Sequence, residues 1–187
     1  YDATPPQIDM VATGTERNGH FVSAVNVRFN VTDSASGVNS VHYCIHGIGE
    51  DPEDWMLWDG TGLTLADEGA YTVSYYASDA AGNTTAPAHD DLQPIDLQAP
   101  SCVLSVPADY VPAAQACSQV SWGGEDSVSD AKDLVYDVQY RRGGCGSWTN
   151  WLLGTPDKAG SFCQLMPGEF YHFRARARDQ AGYVSGW

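Results

Sequence analysis

Val25, Val27, Phe29 and Val31 alternate with Asn26, Arg28, Asn30 and Thr32. A period of two predicts a strand with one buried face and one wet face. Residues 41–45 (Val-His-Tyr-Cys-Ile) predict the next strand, and the polar, acidic stretch 47–54 a loop. Tyr71, Val73, Tyr75 and Ala77 then share a face, and Asp79-Ala-Ala-Gly-Asn83 ends that strand in a turn. The second half repeats the plan. Val120 and Trp122 point one way within 119–122, residues 134–140 alternate again, and Tyr171, Phe173, Ala175 and Ala177 line one face. Residues 92–97 are expected to supply a closing strand for the first half. No ten-residue stretch has a helical period, so the expected class is all-β.

Tyr71, Ala77, Asp79, Ala81 and Gly82 recur one hundred residues later as Tyr171, Ala177, Asp179, Ala181 and Gly182. A self-match at domain length means two copies of one unit. The expected units are 1–97 and 98–187, with Gln98-Ala-Pro100 as a restraining hinge. Each is large enough for a seven-strand sandwich. With 187 residues and 43% apolar content, the composition is that of a globular chain. No run of 18 apolar residues is present to span a membrane. The chain starts at Tyr1 with no basic-then-apolar leader, as expected of a mature or excised product.

Charge separates the halves. Residues 1–96 hold 15 acidic and 2 basic side chains, net −13, whereas 97–187 hold 9 and 7, net −2. So acidic a first unit excludes nucleic acid as a partner. It suits solubility, mutual repulsion or a Ca²⁺-binding surface. Cys102, Cys117, Cys145 and Cys163 fall in the second unit. Four cysteines in a small β-domain suggest two disulfides and an oxidising compartment. Three connectivities exist, and Cys102–Cys117 with Cys145–Cys163 is favoured because it closes loops of ordinary size. No zinc spacing is present. Cys44 reads as a free thiol in the core.

Leu165-Met-Pro-Gly-Glu-Phe-Tyr171, Trp122 and the strand 136–140 make the second unit similar to a fibronectin type III domain. The resemblance implies a tyrosine corner at Tyr171, its hydroxyl bonded back to the backbone. The first unit resembles the bacterial immunoglobulin-like repeats of surface proteins, through Val31-Thr-Asp-Ser-Ala-Ser-Gly-Val38, Gly69-Ala-Tyr71 and Tyr76–Asn83. Its own corner, at Tyr71, lacks the proline. Together these imply two tandem immunoglobulin-like and fibronectin type III-like β-sandwiches in a secreted or surface-attached module. Arg174, Arg176 and Arg178, followed by Tyr183-Val-Ser-Gly-Trp187, are similar to the arginine ladder of cytokine-receptor fibronectin domains. Trp187 and one of Trp148 or Trp151 are expected to intercalate with these arginines and stiffen the sheet.

Trp55-Met-Leu-Trp58 and Trp148-Thr-Asn-Trp151 match each other. Residues three apart in a strand face opposite sides, so one indole of each pair can pack while the other is exposed, under a loop or against a sugar. Asp33 and Asp79, with Asp51, Glu53 and Asp54, offer oxygen ligands for Ca²⁺, or simply cap their own turns. Asn30 and Asn83 head the two N-x-Ser/Thr sequons. The histidines show no ligand pairing, and no nucleophile elbow or phosphate loop appears.

Five residues after Gly182 leave the second unit short of a closing strand. Further chain, or a strand from another subunit in a fibre, would supply it, with residues 1–6 as a candidate donor. The expected function is a non-catalytic extracellular structural or adhesive module, without cofactor, that meets other protein subunits or neighbouring repeats and is open to homo-oligomer or fibre formation. The alternative is a carbohydrate-binding accessory segment of a secreted glycoside hydrolase.

Overall fold

The computed structural model describes residues 1–106 and 117–187, which form two compact units, Tyr1–Leu97 and Gln98–Trp187. The described residues hold fifteen strands and no helix. The chain is a tandem β-sandwich protein. None of its described elements is a helix long and apolar enough to cross a membrane.

In the first unit, β1 (Gln7–Thr13), β4 (Val25–Thr32) and β7 (Leu63–Leu65) make one antiparallel sheet in the order β1-β4-β7. The second sheet has the order β6-β5-β8-β9, from β5 (Val38–Gly47), β6 (Met56–Leu57), β8 (Tyr71–Asp79) and β9 (Ala88–Asp91). A small hairpin pairs β2 (Glu16–Arg17) with β3 (His20–Phe21). Its two-residue turn is Asn18-Gly19, with φ of 51° and 79°; glycine meets the positive-φ demand without strain. Alternation becomes packing directly on β4, where Val25, Val27 and Phe29 are buried and Asn26, Arg28 and Asn30 exposed. From the facing sheet, Val41, Tyr43, Val73, Tyr75 and Ala77 join them in one apolar cluster.

The second unit has the same plan. One sheet runs β10-β11-β14, from β10 (Val103–Ser105), β11 (Ser118–Gly123) and β14 (Ala159–Phe162). The other runs β13-β12-β15, from β12 (Val135–Arg142), β13 (Thr149–Thr155) and β15 (Tyr171–Arg178). The core gathers Val120, Trp122, Leu134, Tyr136, Val138, Phe162, Ala175 and Ala177. Trp122 is buried, and its indole N–H donates to the Asp157 carbonyl at 2.6 Å, so its polar end is satisfied.

The hundred-residue repeat is a repeat of hydrogen bonds. Asp79 N–H donates to the Asn83 carbonyl (3.0 Å) and Asn83 N–H to Asp79 Oδ1 (2.8 Å). One hundred residues on, Asp179 N–H donates to the Tyr183 carbonyl (3.2 Å) and Tyr183 N–H to Asp179 Oδ1 (2.8 Å). Gly82 and Gly182 take φ of 91° and 90° in these turns. Next, Thr85 N–H reaches the Ala77 carbonyl while Ala77 N–H reaches Thr85 Oγ1; Ser185 and Ala177 do the same. A hydroxyl at that position completes the bracket in both units.

Two expectations are corrected here. The edge strand of the first unit is β9, not residues 92–97. Leu92 and Ile95 turn inward instead, and Ile95 bridges Phe21 and Gly69. The favoured disulfides also fail. Cys117 bonds to Cys163, while Cys102 and Cys145 are free. The reason is register: Ser118 faces Phe162 across β11 and β14, so the next position outward puts Cys117 opposite Cys163. Cys102 packs beside the core, and Cys145 sits exposed in the loop between β12 and β13.

Cys117 and Cys163 lie 46 residues apart, and a loop of that length predicts about 4 kcal/mol of stabilisation from lost unfolded-state entropy. Reduction, or C117A/C163A, is therefore expected to lower the stability of the second unit by ~2–4 kcal/mol, read as a fall in urea midpoint. C102A and C145A are expected to leave that midpoint reduction-sensitive.

Candidate functional site

Antiparallel pairing of β12 with β15 sets the outward residues in two columns. Gln139 faces Arg174, Asp137 faces Arg176, Val135 faces Arg178, and Arg141 faces His172. The inward residues between them, Tyr136, Val138, Ala175 and Ala177, fill the core, which fixes the outward set by alternation. Two indoles insert from outside the strands' own ends. The Trp148 ring lies 4.9 Å from the Arg141 guanidinium and 4.3 Å from that of Arg174. The Trp187 ring lies 4.3 Å from Arg174 and 4.5 Å from Arg176. The stack is therefore Arg141–Trp148–Arg174–Trp187–Arg176, cation and ring by turns. Each contact contributes ~0.5–2 kcal/mol.

Hydrogen bonds fix the planes. Arg174 donates Nε and Nη2 to Gln139 Oε1 at 2.8 and 2.6 Å. Arg176 donates the same pair to Asp137 Oδ2 at 2.9 and 2.8 Å. Asp137 Oδ1 accepts the Gly154 N–H at 2.9 Å. Burial pushes the Asp137 carboxyl up, but the Arg176 hydrogen bonds, the Gly154 N–H and the charges of Arg176 and Arg178 outweigh it, so it is held below the usual carboxylate range.

This stack differs from the expected one in two places. Of the two indoles left open beside Trp187, Trp148 intercalates, and Trp151 packs against Trp122, Phe162 and Phe173 at the core margin. Its strand β13 carries a register irregularity against β12, which rotates it inward. Arg178 is no rung: it reaches Asp137 at 3.8 Å. Arg141, which sequence reasoning overlooked, takes the outer rung. Its signal was available, because it continues the outward alternation of Asp137 and Gln139.

The other residues singled out in the sequence are placed as follows. Tyr171 OH donates to the Gln164 carbonyl (3.0 Å) and accepts the Met166 N–H (3.2 Å). Gly168, at φ 79°, follows Pro167 in a type II turn closed by Glu169 N–H to the Met166 carbonyl. Tyr71 OH donates to the Glu68 carbonyl at 3.2 Å. Trp58 meets Phe29 edge-on at the core, and Trp55 meets Tyr76 edge-on on the opposite sheet face. The two indoles are thus on different faces. Cys44 is buried and free, as expected, and alternation puts it opposite Ser74, on the face of β5 away from Val41 and Tyr43.

Asp33 and Asp79 come together with Asp2, their carboxylate oxygens all within 4.8 Å of one another. Each also serves its own turn. Asp33 Oδ1 accepts the N–H groups of Ala35 and Gly37, and Asp79 Oδ2 accepts the Asn83 side-chain amide. Burial pushes the Asp79 carboxyl up, and the Asn83 hydrogen bonds more than offset it, holding it low. Asp51, Glu53 and Asp54 stand apart on an exposed loop. Asp2 accepts the Ser36 N–H at 3.1 Å, and Asn83 Nδ2 donates to the Asp2 carbonyl, so the start of the chain is tied to its own unit. Asn30 is exposed on β4 and donates to Asp9 across the sheet.

No family model matches the chain, and no curated protein matches it. Among solved structures, it is similar to the two fibronectin type III domain segment of chicken tenascin, at 15% identity over 98% of this chain and 95% of that one, TM-score 0.40. It is also similar to the FN1–FN3 domains of chicken CNTN1, at 12% identity over 97% of this chain and 64% of that one, TM-score 0.48. A third likeness is to the fibronectin(III)-like modules of Clostridium thermocellum CbhA, at 12% identity over 96% and 90%, TM-score 0.35. These likenesses carry no argument about what this chain binds.

Because the Asp137 carboxyl is held low, its ionised form stabilises the fold at pH above the unfolded value of about 4, and that contribution is lost as pH falls through the lower folded value. D137N is expected to destabilise the second unit by ~1–3 kcal/mol at pH 7. Urea unfolding at successively lower pH should show the gap to wild type shrinking below pH 4. A gap that stays constant with pH would remove the charge from the account.

Proposed function

We propose that this chain is a non-catalytic, extracellular structural or adhesive module of a surface protein or filament, built from an immunoglobulin-like unit and a fibronectin type III-like unit. The observation that carries the reading is where the aromatic side chains go. Of the four indoles in the two matching pairs, Trp58 and Trp151 pack against core rings, Trp148 lies between two guanidiniums, and Trp55 meets Tyr76 edge-on. Each pair is divided between different surroundings. A coplanar, open pair of indoles is what sugar stacking needs, so the packing supports a load-bearing sheet over a carbohydrate platform.

The Cys117–Cys163 disulfide supports an oxidising, extracytoplasmic setting. The strand order of both units, three strands against a sheet led by the β5–β8 or β12–β15 pair, supports the two domain assignments. The arginine and tryptophan stack adds a rigid outer surface to the sheet that bears the corner tyrosine.

Electrophoresis of the chain through native gels containing xylan or hydroxyethylcellulose tests this reading. Mobility is expected to match that in a blank gel. Retardation that W55A abolishes would overturn the structural module in favour of a sugar-binding accessory segment.

A further inference from the structure

The outer face of β12 and β15 carries four guanidiniums, Arg141, Arg174, Arg176 and Arg178, and among the described residues Asp137 is the carboxylate that pairs with them. Three positive charges are left over on one sheet face of a chain whose net charge is −15. Stacking has a chemical consequence. The planar faces of Arg174 and Arg176 are covered by indole, and their Nε and Nη2 atoms are committed to Gln139 and Asp137. Their Nη1 groups have no partner among the described residues, and the guanidiniums are held in fixed planes. An edge of a fixed guanidinium is the geometry that receives a carboxylate. The indole faces are already occupied, which disfavours a sugar stacking on them.

The complementary surface is in the chain itself. Glu50, Asp51, Glu53 and Asp54, four exposed carboxylic acids in five residues, lead into β6, whose Met56 and Leu57 are 44% and 64% exposed. Acids beside exposed apolar side chains fit a face where arginines surround Trp187, itself 45% exposed. We propose that the arginine and tryptophan face of the second unit docks the acidic loop 50–54, with Met56 and Leu57, of a second copy of this chain. The two surfaces differ, so the contact is heterologous and can propagate head to tail. Overall repulsion between copies is screened beyond about 8 Å at physiological salt, whereas contacts at hydrogen-bond distance are screened far less. The inference rests on the structural-module reading and names its partner. The two fail separately, because a monomeric chain would overturn this contact and leave the gel result unchanged.

The test is sedimentation equilibrium of the full chain from 10 to 500 µM, an arbitrary range of about fifty-fold chosen to span weak contacts, at physiological salt. Wild type is expected to self-associate. E53K/D54K and R178E, both exposed changes outside the stack, are each expected to weaken association at least about tenfold. An equimolar mixture is expected to pair, because each variant keeps the surface the other lacks. The mixture also guards against a misfolded variant, which could not be rescued. A monomeric wild type, variants that associate as wild type does, or a mixture that fails to pair would each overturn the proposal. So would a monomeric chain that binds heparin in an Arg178-dependent way, which would make a soluble polyanion the occupant.

Discussion

A buried aspartate at the end of a long strand organises each unit. Asp79 and Asp179 are 1% and 5% exposed, and each turns its carboxylate onto backbone N–H groups of the turn that follows. A charged group so deep is tolerable only when hydrogen bonds replace its water. That requirement fixes the turn, and the turn fixes where β8 and β15 stop. The returning chain is then held to Ala77 or Ala177 by a side-chain hydroxyl. The strands that these turns terminate are the ones that pair with β5 and β12 and carry the inner faces of the cores. Losing either carboxylate would loosen a corner on which sheet register and core facing both depend.

The arginine face is built on that foundation. Its rungs lie in line because β12 and β15 stay in continuous register from Val135–Arg178 to Arg142–Tyr171. The stack converts long, flexible side chains into fixed planes, and its lowest rung is anchored on a carboxylate that is 8% exposed. Stiffness and charge presentation are therefore one property of this surface, since the contacts that fix Arg174 and Arg176 engage Nε and Nη2 and leave Nη1 without a partner among the described residues.

Strands with one wet face were legible, because alternation survives in the sequence wherever a sheet has an inside and an outside: β4 and β15 read directly. The repeated turn was legible as well, since aspartate, glycine and small residues have local jobs at fixed spacing. Cysteine pairing was not. It depends on which strands neighbour each other, and the β11–β14 pairing brings together two cysteines 46 positions apart. The choice between Trp148 and Trp151 stayed open for a similar reason, since the irregularity between β12 and β13 changes the face of Trp151 with no local mark in the sequence. Arg141 shows the reverse case. Its alternation was visible, but only the β12–β15 register turns an isolated arginine into a rung. Asp2 could not be tied to Asp33 and Asp79 from spacing, because the lead-in folds back across two distant turns.

The bracket around Asp79 also bears on the second sequon. The Asn83 side-chain nitrogen is the atom a glycan would occupy, and it already holds both Asp79 Oδ2 at 2.7 Å and the Asp2 carbonyl at 3.3 Å. Attaching a sugar there would replace one of its two N–H donors, so either the buried carboxylate or the lead-in segment would lose its hydrogen bond. Asn30 holds a single exposed partner on an open strand face. The two sequons are equal as motifs and opposite in structural role: one is an open surface position, and the other is a fastener.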